Sequence, residues 1–415
     1  MADGAVGAPR PAAVEVGDIF CAHGAVYRRH HPMSDRQSKI FVAIQQCRTA
    51  VLGGHLEVCS ECGFSRPAYN SCRDRHCPKC QSVRQAQWLE LPRERLLPVP
   101  YFHVVFTLPG ALRRLCRRND RQMYNLLFSA ASQTLLRLGQ DPKWLGGRLA
   151  VTAVLHTWTR ELQYPPHLHC IVSAGGLSLE ATRWIFGSTR YLFPVAVLSA
   201  LFRGLFVDGL KKLVEREQVR LDGQDLSSLL QVLHREPWVV YAKRPFGGPE
   251  QVFRYLGRYT HRVGISNQRL IFMDEQGVCF ASKNGKQLTL PPQEFIRRFL
   301  LHVLPENFVK TRHYGLWASG KAQPALEVAR TLLQRQREQA AALRPPLGCK
   351  DEAGAADPEA EPDAEGESEA EDFIQRLLRL CGIDISRCPA CQSGRLTREP
   401  LPYQPPAVVA CSDTS

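Results

Sequence analysis

The chain has 415 residues, 44% of them hydrophobic, and a formal charge of +13. That length exceeds one ordinary core and predicts two or three folded units. The absence of any apolar run of about 18 residues argues against a membrane span, and the opening MADGAVGAPRPAAV has no basic block followed by an apolar one, so no secretion signal is expected and a cytoplasmic location is.

Residues 1–16 are rich in Ala, Pro and Gly and are expected to be disordered. Residues 17–98 read as a helical and zinc-binding domain. Helical patterning runs through SKIFVAIQQCRTAVL, a cysteine-rich segment follows, and a further helix carries Trp88 and Leu89. The cysteine segment CSECGFSRPAYNSCRDRHCPKC holds Cys59-x2-Cys62, fourteen intervening residues, then Cys77-x2-Cys80. Four thiolates on two tight turns make a closed tetrahedral site, so Cys59, Cys62, Cys77 and Cys80 are expected to hold a structural Zn²⁺. Cys72 and His76 are available as replacements or as part of a second metal site. Arg66, Arg73, Arg75, Lys79 and Arg84 surround the cluster and fit a nucleic-acid face.

Residues 99–320 mix strands and helices. YFHVVFTLP reads as a strand ended by proline, 111–138 as helix, and LAVTAVLHTWTREL and HLHCIVSAGGL as two strands of a hairpin. Helix is expected again at 194–219, a strand in PWVVYAKRPFGG, and a helix in PEQVFRYLGRYTHRV, opened by Pro249 and Glu250. RLIFMDEQGVCFASKNGKQLTL reads as a hairpin turned near Glu275–Gly277, and PPQEFIRRFLLHVL as a last helix. Hairpins interleaved with helices predict an α+β fold around an antiparallel sheet rather than a regular β-α-β series.

Two pairs of residues stand out in this region. On a strand, His167, His169 and Ile171 share one face and Leu168, Cys170 and Val172 the other. The imidazoles are then close enough to grip one ion, although strand geometry alone fits an incidental polar pair equally well. Tyr255 and Tyr259 fall one helical turn apart, beside a row of Arg254, Arg258 and Arg262. Hydroxyls next to guanidinium groups suit phosphate chemistry, while the spacing alone also fits an amphipathic core stripe.

Beyond the sheet region, residues 321–345 read as a basic helix and 346–372 as an acidic disordered linker. Residues 351–372 contain 11 acidic and no basic side chains, and leaving them out raises the charge from +13 to +24. A basic body of that kind suits a polyanion, most simply DNA. Residues 373–415 carry Cys388-x2-Cys391, with Cys381 and Cys411 nearby, which resembles half of a zinc ribbon and offers a weak second zinc site.

Taken in order, the strand VVFTLP, the His-Leu-His strand and the later Tyr-x3-Tyr helix resemble the HUH endonucleases, a group that includes rolling-circle replication initiators, relaxases and certain transposases. The blocks CRTAVLGGHLEVCSECG, YNSCRDRHCPKCQ, PYFHVVFTLP, VLHTW, HLHCIVSAGGL and WVVYAKRPFGGPEQVFRYLGRYTHRVGISN are similar, more narrowly, to two-tyrosine transposases of insertion-sequence-ninety-one type and their common-region relatives. The resemblance runs from about residue 17 to 335. It implies an HUH-like central antiparallel sheet with helices, preceded by a small zinc-binding lobe. It also implies a transposase that nicks and joins single-stranded DNA at element ends. His167 and His169 would hold Mg²⁺ or Mn²⁺, and Tyr255 and Tyr259 would attack in turn through a 5′-phosphotyrosine. The family's usual residues around the first metal histidine are replaced here by TWTRELQYPPHLH, which leaves Glu161 and His261 as candidates for a third ligand. The rival reading is a zinc-dependent DNA-binding protein without nuclease activity, which would need neither pair.

Overall fold

The structure is a computed structural model that describes residues 14–80, 96–188, 191–243, 264–282, 285–318, 322–342, 384 and 386–401. The helices expected around Trp88 and at 249–263, with Tyr255, Tyr259, Arg254, Arg258, Arg262 and His261, lie outside the described residues, as do the acidic linker, Arg84, Cys381 and Cys411. The chain divides into a larger unit, Met1–Gln45 with Arg73–Ala341, and a smaller one, Gln46–Cys72 with Ala342–Ser415.

In chain order the elements are α1 (Val16–His30), α2 (Asp35–Gln46), β1 (Gly54–Cys59), β2 (Ser65–Tyr69), β3 (Tyr101–Thr107), α3 (Arg113–Arg118), α4 (Asp120–Gln140), β4 (Gly147–Arg148), β5 (Ala150–His156), β6 (His167–Ser173), β7 (Gly175–Ser178) and β8 (Trp184–Phe186). They continue with α5 (Val195–Glu215), α6 (Leu226–Arg235), β9 (Val240–Lys243), β10 (Leu270–Met273), β11 (Val278–Ala281), β12 (Gln287–Leu290), α7 (Pro292–Leu300), β13 (Thr311–Gly315), α8 (Ala322–Ala342) and β14 (Leu396–Pro400).

The centre of the larger unit is a five-stranded antiparallel sheet in the order β13-β5-β6-β3-β9. Its strands carry apolar side chains at alternate positions because alternate residues share a face. Phe102, Val104 and Phe106 of β3, Val151, Ala153 and Leu155 of β5, and Leu168, Cys170 and Val172 of β6 are all buried in one core with residues of α4 and α5. Burying each large apolar side chain contributes about 1.5–3 kcal/mol, so this face fixes the sheet. The opposite face is divided. Tyr101, Val154 and Ile171 pack with Trp184, Trp317 and Leu326, Ala329 and Leu333 of α8, while other positions of this face carry His103, His156, His167 and His169.

The α+β expectation with a central antiparallel sheet holds, and His167, His169 and Ile171 do point away from the Leu168 face. The 270–290 hairpin turns at Asp274–Gly277, where Asp274 Oδ1 accepts from the amides of Gln276 and Gly277 at 2.9 Å each. It gains a third strand, β12, that the sequence pattern did not separate. α7 backs this meander, with Phe295 edge-on to Phe280, and Phe299 of α7 meets Phe20 of α1, itself stacked on Phe41 of α2 at 4.6 Å. Among the described residues no helix is long and apolar enough to cross a membrane.

In the smaller unit β1 is the middle strand of a three-stranded antiparallel sheet, β14-β1-β2. Cys59 at the end of β1 faces Leu396 of β14, and His55 faces Pro400.

Candidate metal centres

Strands β5 and β6 pair so that His156 stands opposite His167 and Val154 opposite His169. Directly opposed residues of an antiparallel pair share a face, so three imidazoles converge on one side of the sheet. One nitrogen from each of His156, His167 and His169 lies within 4.8 Å of the other two. The third member is therefore His156. Glu161, one of the two expected candidates, is exposed and its carboxylate accepts from Ser282 Oγ at 3.3 Å. The other candidate, His261, lies outside the described residues. A register argument would have found His156, because it and His167 close the two ends of one hairpin loop.

The ring orientations leave lone pairs facing inward. His167 Nδ1 lies 2.7 Å from the Pro165 carbonyl, which can only accept, so Nδ1 carries the proton and Nε2 is the free donor atom. His169 Nδ1 lies 2.8 Å from Nε2 of His103, a residue of β3 that the sequence reading passed over. Burial, followed by the charge of Lys243, pushes His103 down to about 4, so it is neutral at pH 7 and can accept from His169. With His169 Nδ1 donating in that contact, Nε2 would be the atom presented to a ligand. Burial also lowers His167, and lowers His169 well below its ordinary value, with His156, His167 and His103 adding repulsion. Three converging imidazoles, two of them engaged at Nδ1 by outer partners, fit a divalent metal ion.

The histidines line a cleft of about 400 Å³ together with Trp158, Arg160 and Arg269. Trp158 stacks on His156 at 4.5 Å. Arg269 is braced over the Phe280 ring at 5.7 Å and donates from Nε to the Ala281 carbonyl at 2.8 Å. It also bonds the Arg160 carbonyl, and Arg298 bonds the Glu161 carbonyl at 3.1 Å, so two guanidinium groups hold the loop that follows β5. Gly264 and Ser266, among the first three described residues after the segment containing Tyr255 and Tyr259, line the same cleft.

The cysteine grouping needs correction. Cys59 and Cys62 are not joined by Cys77 and Cys80 but by Cys388 and Cys391, the pair expected to form only a weak site of its own. The four sulfurs lie within 4.8 Å of one another, with Cys59 to Cys391 and Cys62 to Cys388 both at 3.7 Å. Cys77 and Cys80 belong to the larger unit. There the segment around them is fastened by Asp74 to Arg36, by Lys79 to Glu15, and by Arg75 Nη1 to the Phe308 carbonyl. Cys72 lies in the smaller unit beside Cys47, its amide 3.5 Å from the Cys47 sulfur. His76 is no ligand here: Asp74 engages its Nδ1 at 2.8 Å and the Leu304 amide donates to its Nε2 at 3.1 Å.

Comparison with known proteins identifies the family. Residues 150–324 match the family described as "Putative transposase", and residues 19–108 match a "Transposase zinc-binding domain". The chain is 43% identical to "Putative transposase y4qJ" of Sinorhizobium fredii (strain NBRC 101917 / NGR234), over 92% of its own length and 94% of the relative's. It is 26% identical to "Transposase for insertion sequence element IS801" of Pseudomonas savastanoi pv. phaseolicola, over 66% of its own length and 68% of the relative's. No solved structure matches.

Proposed function

Because the chain belongs to the IS91-type transposase family, we propose that it cleaves and rejoins single-stranded DNA at element ends, through tyrosine attack beside the three-histidine cluster. The observation that carries this reading is the convergence of His156, His167 and His169 on one cleft that also receives Gly264 and Ser266, directly after the tyrosine segment.

His156, His167 and His169 would hold the cation. Three nitrogen donors favour a transition ion such as Mn²⁺ over Mg²⁺, which prefers oxygen ligands. When bound, the ion neutralises charge on the scissile phosphate oxygens. Arg160 and Arg269 line the cleft and supply further positive charge for the DNA backbone. Trp158, buried and stacked against His156, walls the same cleft.

The Tyr255 oxygen attacks phosphorus, the 3′-oxygen leaves and takes up a proton, and a 5′-phosphotyrosine forms. One phosphoester replaces another, so rejoining by the freed hydroxyl needs no nucleotide cofactor. Tyr259 makes the second attack, which permits strand transfer in a rolling-circle sequence. On a helix, Arg254, Arg258 and Arg262 would lie beside these hydroxyls and could contact phosphate.

The test is incubation of the protein with labelled single-stranded DNA from an element end, with and without Mn²⁺, followed by a denaturing gel. A metal-dependent covalent adduct is expected in the wild type, and none when Tyr255→Phe and Tyr259→Phe are combined. An adduct that survives that double substitution, or none with any end sequence, leaves the rival DNA-binding reading standing.

A further inference from the structure

We infer that Cys59, Cys62, Cys388 and Cys391 bind one zinc ion, and that this ion clasps the C-terminal strand β14 onto the β1–β2 hairpin. The site goes beyond the DNA-cleaving reading and does not rest on it. The family match to a zinc-binding domain ends at residue 108, so Cys388 and Cys391 fall outside it.

The geometry fits the ion. Zinc bound to four thiolates at about 2.3 Å in a tetrahedron sets its sulfurs roughly 3.8 Å apart. Two of the sulfur pairs here, Cys59 with Cys391 and Cys62 with Cys388, are both at 3.7 Å. Each pair joins one turn to the other, so neither turn could form the site alone.

The two turns repeat one another. In each, the amide two residues after the first cysteine approaches its sulfur: Glu61 to Cys59 and Ala390 to Cys388, both at 3.4 Å. The residue after the second cysteine is left-handed in both, Gly63 at φ 70° and Gln392 at φ 63°. Further amides, of Cys62 at 3.5 Å and Gly394 at 3.3 Å, approach Cys59 and Cys391. Four thiolates around one divalent cation leave an excess of negative charge, and amide N–H groups aimed at sulfur offset it.

Gly394 is an independent sign of the same site. A Cβ on it would sit 2.4 Å from the Cys59 sulfur, so the approach of the two turns requires the smallest residue at that position. With four sulfurs and no open position, the site is structural: it orders the smaller unit and leaves no place for substrate.

Elemental analysis of the purified full-length chain tests the assignment. Cys59→Ser with Cys62→Ser should remove one zinc per chain, and so should Cys388→Ser with Cys391→Ser. The fourfold variant should lose no more than either pair. Unchanged zinc in the Cys388 and Cys391 variant, or two ions lost in the fourfold variant, overturns the shared site. A second experiment leaves every cysteine intact. A protease site is inserted within 351–372 and cut, and the two pieces are run on gel filtration. The piece carrying Cys388 and Cys391 should co-elute with the body and separate once zinc has been stripped. A piece that separates with zinc still bound, or stays attached after metal analysis finds none, overturns the clasp.

Discussion

The histidine cluster and the four-cysteine cluster differ most in how far apart along the chain their donors lie. His156, His167 and His169 come from two neighbouring strands joined by one loop, whereas Cys59 and Cys391 are 332 residues apart. The local cluster is open, sits in a cleft and has room for a substrate. The distant one is closed, with a sulfur at every corner. A sheet already fixed by its apolar face can hold three donors and leave a side empty, because the core behind them supplies the rigidity. Among the described residues the smaller unit has a short sheet and little buried apolar surface, so its metal has to supply the rigidity itself.

The largest expected effect comes from the open cluster. His156→Ala should reduce metal-dependent adduct formation by more than the roughly 10–100-fold typical of losing an outer-shell partner. Adduct formation near the wild-type rate would break the claim that this cluster is the reactive one. His103→Ala should fall within that ~10–100-fold range, read as weaker Mn²⁺ affinity in a calorimetric titration. His103→Gln should restore much of it, since the amide oxygen can still accept from His169 Nδ1. Equal losses in the two variants would assign His103 to packing rather than orientation.

On the closed cluster, Gly394→Ala should leave the adduct assay unchanged. It should destabilise the smaller unit by about 1–3 kcal/mol, the range for forcing an extra methyl group into a filled site, seen as faster zinc release to a competing chelator. Wild-type release kinetics would show that the turns are looser than described.

At neutral pH the smallest effect comes from a buried histidine of the larger unit, which acts only as the solution is acidified. Complete burial pushes His302 down to about 3 from an ordinary value of 6.5. The folded form therefore keeps it neutral while the unfolded chain protonates it. Its contribution is fully present above pH 6.5 and is lost as pH falls from 6.5 towards 3. His302→Phe should flatten the unfolding-against-pH curve over that window, and an unchanged slope would assign the acid sensitivity to other groups.

What could be read from the sequence follows from how local each feature is. The two-residue alternation around His167 and Leu168 was enough to assign the faces of β6, because burial imposes that period directly. His156 was missed because it meets His167 only through strand pairing, and His103 because its partner is on a strand more than sixty residues downstream. The cysteines misled in the opposite way. Cys59-x2-Cys62 and Cys77-x2-Cys80 have the spacing of one zinc site, yet Cys59 and Cys62 meet Cys388 and Cys391, since β14 completes the sheet beside β1. Local spacing identifies a metal-binding turn but not which second turn it meets.

Strand β1 pairs with β14 as well as with β2, and that has a consequence for synthesis. At about 5–20 residues per second, roughly 20–70 s separate the appearance of Cys59 from that of Cys391. Throughout that interval one edge of β1 has no partner, and an unpaired edge invites misassociation. A chain that stops short of Cys388 would carry the complete histidine sheet and still display that open edge with two waiting thiols. The final turn and strand thus cover that edge only after the chain through Leu396–Pro400 has been made.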